Sequence, residues 1–159
     1  MMATMAQALE NVFADIEAII VAITPNARPD HKFARRQPSD TPLREIKDMT
    51  GRPRLFEIQE HEIRKTRDYY TGAGYSGIEV EFPVDILYPT ADRGDAASWT
   101  AAAFDDANEI QHRVLDTTTI AGDGIQCRTA WDTAEIRPFA EDPWFIMRVK
   151  ITALLHVEQ

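Results

Sequence analysis

The chain has 159 residues, 44% of them apolar, with 17 Lys plus Arg against 26 Asp plus Glu. That length fits one domain, able to bury roughly two-thirds of its unfolded surface, so a single self-sufficient core over residues 1–159 is expected. A formal net charge of −9 argues against a general nucleic-acid binder that grips phosphates, and apolar runs far short of roughly 20 residues argue against a membrane span.

In "ATMAQALENVFADIEAIIVAI" the residues Met5, Leu9, Val12, Phe13, Ile16, Ile19, Ile20 and Ile23 recur at three- and four-residue spacing. This predicts an amphipathic helix that Thr24-Pro25 stops. Residues 24–54 follow with five prolines, at 25, 29, 38, 42 and 53, and little periodicity. They read as a long irregular excursion, of the kind that is usually functional. "RLFEIQEHEIRKTRD" is expected to be one strand with a charged outer face, and "YYTGAGYSG" supplies the glycines of a hairpin tip. "SGIEVEFPVDILYP" alternates strictly, with Ile78, Val80, Phe82, Val84, Ile86 and Tyr88 on one face and Glu79, Glu81 and Asp85 on the other. Pro83 cannot donate to a ladder, which predicts a bulge or a free edge near the middle of that strand.

"DRGDAASWTAAAFDDANEIQHRVLD" predicts a second helix with Trp99, Ala103, Ala107, Ile110 and Val114 on one stripe. "IQCRTAWDTAEIRPFAED" predicts two short strands. The chain closes on "DPWFIMRVKITALLHVEQ", where Phe145, Met147, Val149, Ile151, Ala153, Leu155 and Val157 are apolar at every second position. The order predicts an α+β fold: a mostly antiparallel sheet, two main helices packed on it, and a long proline-rich loop after the first helix.

The last strand is long for the molecule. A compact domain of this size has a diameter of about 40 Å, whereas residues 144–157 extend roughly 46 Å. The strand is therefore expected to bend or to serve an interface between subunits, with Trp144, Ile146 and Leu154 on its second face as candidate contacts. Arg148 and Lys150 on that face are expected to meet Glu79, Glu81 or Asp85 across strands.

Few residues point to chemistry. His61-Glu62 lacks the second histidine of a zinc-protease helix. "TGAGYSG" lacks the lysine and the Ser or Thr of a phosphate loop. Asp105, Glu109 and His112 share a helical face, a pattern more typical of a solvated helix side than of a metal cluster. The pairs Asp105-Asp106 and Glu141-Asp142 are adjacent and point apart, which suits surface or capping groups. Cys127 has no partner for a bridge and reads as a small buried residue. Together with the lack of a signal-peptide pattern at the N-terminus, it predicts synthesis in a reducing, intracellular place. No catalytic residue, metal or cofactor is assigned.

Charge is unevenly placed: residues 24–70 carry 11 basic and 8 acidic residues, residues 71–159 carry 6 and 15. Such a layout suggests a basic side and an acidic side. Without interleaved aromatics, the basic group fits a protein partner better than DNA. Its candidate contact residues are Arg28, Lys32, Arg35, Arg36, Arg52 and Arg54 on the excursion. The hairpin of residues 66–77 adds Tyr69, Tyr70 and Tyr75.

In overall layout the chain resembles the tail terminator and tail-completion proteins of long-tailed bacteriophages. The resemblance rests on the opening helix "MAQALENVFADIEAIIVAI", the proline-rich excursion, the long strand "SGIEVEFPVDILYP", the helix "WTAAAFDDANEIQHRVLD" and the last strand "PWFIMRVKITALLHVEQ". It implies a virion protein, assembled in the host cytoplasm, that forms a homo-oligomeric ring, commonly six-fold. Such a ring ends tail-tube polymerisation and joins the tail tube protein to the head-tail connector protein, with DNA passing through the lumen without specific binding. The alternatives are a head-tail connector or minor tail-tube protein, and a small oligomeric enzyme with an intersubunit site around Asp105, Glu109 and His112.

Overall fold

The fold is that of a computed structural model, which describes residues 4–46, 51–72, 75–90, 96–116, 126–131 and 144–158. Helix α1 spans Met5–Ala22. It opens on a capping box: the Thr4 hydroxyl accepts from the Gln7 N–H at 3.3 Å, and the Gln7 side chain accepts from the Thr4 N–H at 3.1 Å. Two of the orphan donors of the first turn are thus satisfied. The helix ends before Thr24-Pro25, as the steric restriction on a residue preceding proline requires. Helix α2 spans Ala96–Asp116. Its buried stripe runs through Trp99, Ala103, Ala107, Ile110 and Val114, and its alanines bring the backbone close to the sheet.

Among the described residues six strands form one sheet: β1 (Ala34–Arg35), β2 (Leu55–Ile58), β3 (Arg64–Gly72), β4 (Tyr75–Pro89), β5 (Gln126–Trp131) and β6 (Trp144–Glu158). The order is β1-β2-β4-β6-β5, with β3 also paired to β4, and every pairing except β1 with β2 is antiparallel. The expected α+β architecture is therefore what the chain adopts. Residues 55–68, expected as one strand, are instead two. A 3-10 turn over Glu60–Glu62 separates β2 from β3, and both segments pair with β4. Of the two short strands expected after residue 125, β5 is the first; the second lies outside the described residues.

The helices cover one face of the sheet. Val80, Phe82, Val84, Ile86 and Tyr88 from β4 meet Phe145, Met147, Val149, Ile151, Ala153 and Leu155 from β6 in the main core, where the Phe13 ring stands edge-on to Phe82 at 5.0 Å. The other face is closed at one end by the excursion. A smaller core there joins Leu43 and Ile46 to Leu55, Leu87, Trp144 and Ile146. Gly51 belongs to this contact: a Cβ there would sit 3.0 to 3.1 Å from Ile46, Leu87 and Trp144, so a side chain at this position would force its neighbours apart.

β6 is paired along its whole length within its own chain. All fifteen of its residues pair with β4, from Trp144 opposite Pro89 to Glu158 opposite Tyr75. Pro83 sits where the neighbour on the other edge of β4 changes. β2 pairs up to Val84 and β3 pairs from Glu81 onward. The Pro83 carbonyl accepts from the Gln59 N–H at 2.9 Å, so the Pro83 nitrogen also points to that side, away from β6. Its missing donor costs no β4–β6 bond.

Candidate assembly interface

Two polar clusters fix the excursion before any partner is considered. The first is built around Arg54, which is fully buried. Its Nε and Nη2 donate to the two Asp106 carboxylate oxygens at 2.7 and 3.2 Å, its Nη1 to the carbonyls of Arg28 and His31 at 2.8 and 2.9 Å, and its Nη2 also to the Ala27 carbonyl at 2.5 Å. All five guanidinium N–H groups are thereby used, the full capacity of an arginine. The Tyr88 hydroxyl donates to Asp106 at 2.7 Å, and the guanidinium lies 5.5 Å from the Trp99 ring centre and 5.7 Å from that of Phe33. Arg54 (φ 62°) and Arg28 (φ 50°) both hold left-handed backbone, a strained state that persists when surrounding contacts over-determine it. Burial raises the Asp106 carboxyl above its ordinary value, against the opposing pull of the Arg54 and Tyr88 hydrogen bonds. The Tyr88 hydroxyl is pushed well up by burial and by the adjacent carboxylate.

Asp106 is thus not the surface or capping group expected from the Asp105-Asp106 pair. The sequence carries one signal for it: Asp106 falls on the α2 stripe, at helical spacing between Ala103 and Ile110. A carboxylate on an apolar stripe needs a buried partner.

The second cluster lies on the outer sheet face, beyond the small apolar core. Asp85 and Arg148, register partners on β4 and β6, meet at 2.8 Å, and the same guanidinium reaches Glu62 at 2.8 Å. Arg44 from the excursion closes on Asp85 at 3.5 Å. Lys150 and Arg64 flank Glu81 at 3.8 and 3.0 Å. The expected cross-strand pairing of Arg148 and Lys150 with the β4 acids is therefore present. Asp85, though on the polar face, is fully buried because Arg148 and the excursion cover it. On β2, Glu57 binds Arg36 and Gln59 and accepts from the Leu43 N–H at 3.4 Å, tying the excursion down again.

Hydrogen bonds from Arg148 hold the Glu62 carboxyl below its ordinary value of 4.5. A carboxylate whose folded pKa is depressed contributes stability that is fully present above its unfolded pKa and lost as pH falls through the lower folded value. Glu62→Gln is accordingly expected to lower the urea midpoint at neutral pH and to flatten the loss of stability below pH 4.5. Parallel pH profiles for the two proteins would remove Glu62 from that account.

The candidate contact residues separate by exposure. Arg54, Trp144 and Ile146 are buried within the chain's own fold. Leu154, Arg28 and Arg36 are half-buried, with the Arg28 guanidinium 4.5 Å above the Trp99 ring. Lys32, Arg35 and Arg52 are exposed, and Arg35 is paired with Glu17 at 2.9 Å. Tyr69, Tyr70 and Tyr75 lie on the paired backbone of the β3–β4 hairpin, and their side chains fall outside the description. An open groove of about 680 Å³ lies between Arg35, Pro38, Pro42, Ile58, His61 and Glu17. Burial raises the Glu17 carboxyl, and the Arg35 charge opposes that shift.

The third polar set, Asp105, Glu109 and His112, does not close on itself. Glu109 is engaged by Arg113 at 3.0 Å, while Asp105 and His112 are exposed. Among the described residues no three His, Cys, Asp or Glu side chains group as metal ligands, and no helix is long and apolar enough to cross a membrane. Glu141-Asp142 lies outside the described residues. No protein-family model matches the chain, and no curated protein matches it.

Proposed function

We propose that the chain is a structural subunit of a ring that ends tail-tube polymerisation in a long-tailed bacteriophage and joins the tail to the head connector. One observation carries the assembly part of this reading: Arg64 through Asp68 of β3 are exposed at five consecutive positions. A strand that rests on a core buries every second residue. Here neither face is covered, and among the described residues no strand pairs with the outer edge of β3. A ribbon of this kind gains support from a neighbouring molecule. The locked excursion offers such a neighbour a preformed surface, so docking there involves little ordering cost. The tail-specific part rests on the chain's layout, and its partners are the tail tube protein and the connector.

The ring is tested by native mass spectrometry with negative-stain imaging of the full chain. A closed ring is expected, and addition of purified tail-tube subunits is expected to give capped tubes of limited length. A chain that stays monomeric at high micromolar concentration would overturn the reading.

A further inference from the structure

The helices and the excursion differ in the sign of their charge. α1 carries Glu10, Asp15 and Glu17 and no basic residue, and the outer side of α2 presents Asp105 and Glu109 against Arg113. The described residues of the excursion hold seven basic residues and three acidic ones. Two of those cations, Lys32 and Arg52, are exposed and form no ion pair within the chain's described residues. The exposed large apolar side chains of the described residues, Val21 at 49% and Phe104 at 44%, both stand on the acidic helices. The acids and exposed apolar side chains of the helices and the two unpaired cations among the described residues of the excursion are complementary groups of one molecule.

We infer that the basic excursion of one copy docks on the acidic helical layer of the next copy, with Phe104 as the apolar anchor. The inference rests on the ring reading and specifies its contact. Two different patches on the same chain give a heterologous contact, which closes into a ring when the rotation per subunit divides a full turn. Opposite charge at the rim steers encounter and makes assembly salt-sensitive, while a central aromatic supplies most of the contact energy.

The test uses two charge-reversed full chains, Lys32→Glu/Arg52→Glu and Glu10→Lys/Asp105→Lys, each checked for native circular dichroism. Each alone is expected to show at least a ~tenfold weaker self-association, and to run as a monomer where the native chain forms rings. Mixed one to one, they are expected to co-assemble, since each reversed patch then meets its complement. Phe104→Ser is expected to weaken assembly while leaving the fold intact. Rings that persist in Lys32→Glu/Arg52→Glu, or folded variants that do not co-assemble, would overturn this contact and leave the ring standing. A native chain that forms no ring would overturn the ring itself. Unchanged rings together with salt-sensitive duplex binding, lost in Lys32→Glu/Arg52→Glu, would assign the excursion to nucleic acid instead.

Discussion

Arg54→Ala is expected to cost about 3–5 kcal/mol of folding stability, the range for breaking a buried ion pair by removing one partner. The substitution leaves Asp106 without its cation and the carbonyls of Ala27, Arg28 and His31 without their donor. Asp106 is 2% exposed, so water does not readily replace what is lost. Lysine is expected to rescue little, because one ammonium cannot satisfy acceptors placed for a planar five-donor fork. Urea unfolding in the Lys32→Glu/Arg52→Glu background, where self-association is expected to be removed, separates monomer stability from assembly. Limited proteolysis supplies the local readout, with new cleavage expected between residues 24 and 46. Arg64→Ala on the exposed start of β3 is the control. Its pair with Glu81 is solvent-exposed, and such pairs contribute about 0–1 kcal/mol. Equal effects of the two substitutions would show that burial is not what gives Arg54 its weight.

Trp144→Ala is expected to cost about 3–5 kcal/mol as a large-to-small change in a packed core. The ring is 3% exposed and closes the outer-face cluster with Leu43, Ile46, Leu55, Leu87 and Ile146. Its loss opens a void beside Gly51, whose missing side chain is what lets the excursion approach so closely. Were Trp144 a contact between subunits, the same substitution would lower assembly and leave the urea midpoint of the monomeric background unchanged. The expected outcome is the reverse, a lower midpoint in the monomer.

These two residues mark where the sequence was and was not legible. Both helices and the long strands follow from periodicity, because the burial of one stripe or one face imposes a fixed spacing. That periodicity places Val12, Ile16 and Ile20, the inner face of β4 and the alternate residues of β6 in the core, where they lie. The excursion has no period, and its contacts are long-range: Arg54 meets Asp106, 52 positions away. Nothing local distinguishes Arg54 from the exposed Arg52. Trp144 and Ile146 read as surplus apolar area because their cover comes from the excursion. The available clue was on β4, where Ile86, Leu87 and Tyr88 are apolar in succession. A run that drops alternation is buried on both faces. The 3-10 turn over Glu60–Glu62 was hidden by flanking residues with the same charged character as the strands they join. Among the candidate contact residues, Arg54, Trp144 and Ile146 are buried and Lys32, Arg35 and Arg52 are exposed, and Phe104 is exposed without having been singled out by its spacing.

Pro83 has a consequence for how this sheet avoids misalignment. β2 and β3 share one edge of β4, and each could in principle creep along it in steps of two residues without turning its apolar side outward. At Pro83 that edge has no hydrogen to give. A strand advancing past it loses a ladder bond of about 0.5–1.5 kcal/mol, and the Gln59 N–H already occupies the Pro83 carbonyl. The residue thus acts as a fixed stop between two strands that would otherwise compete for the same rail.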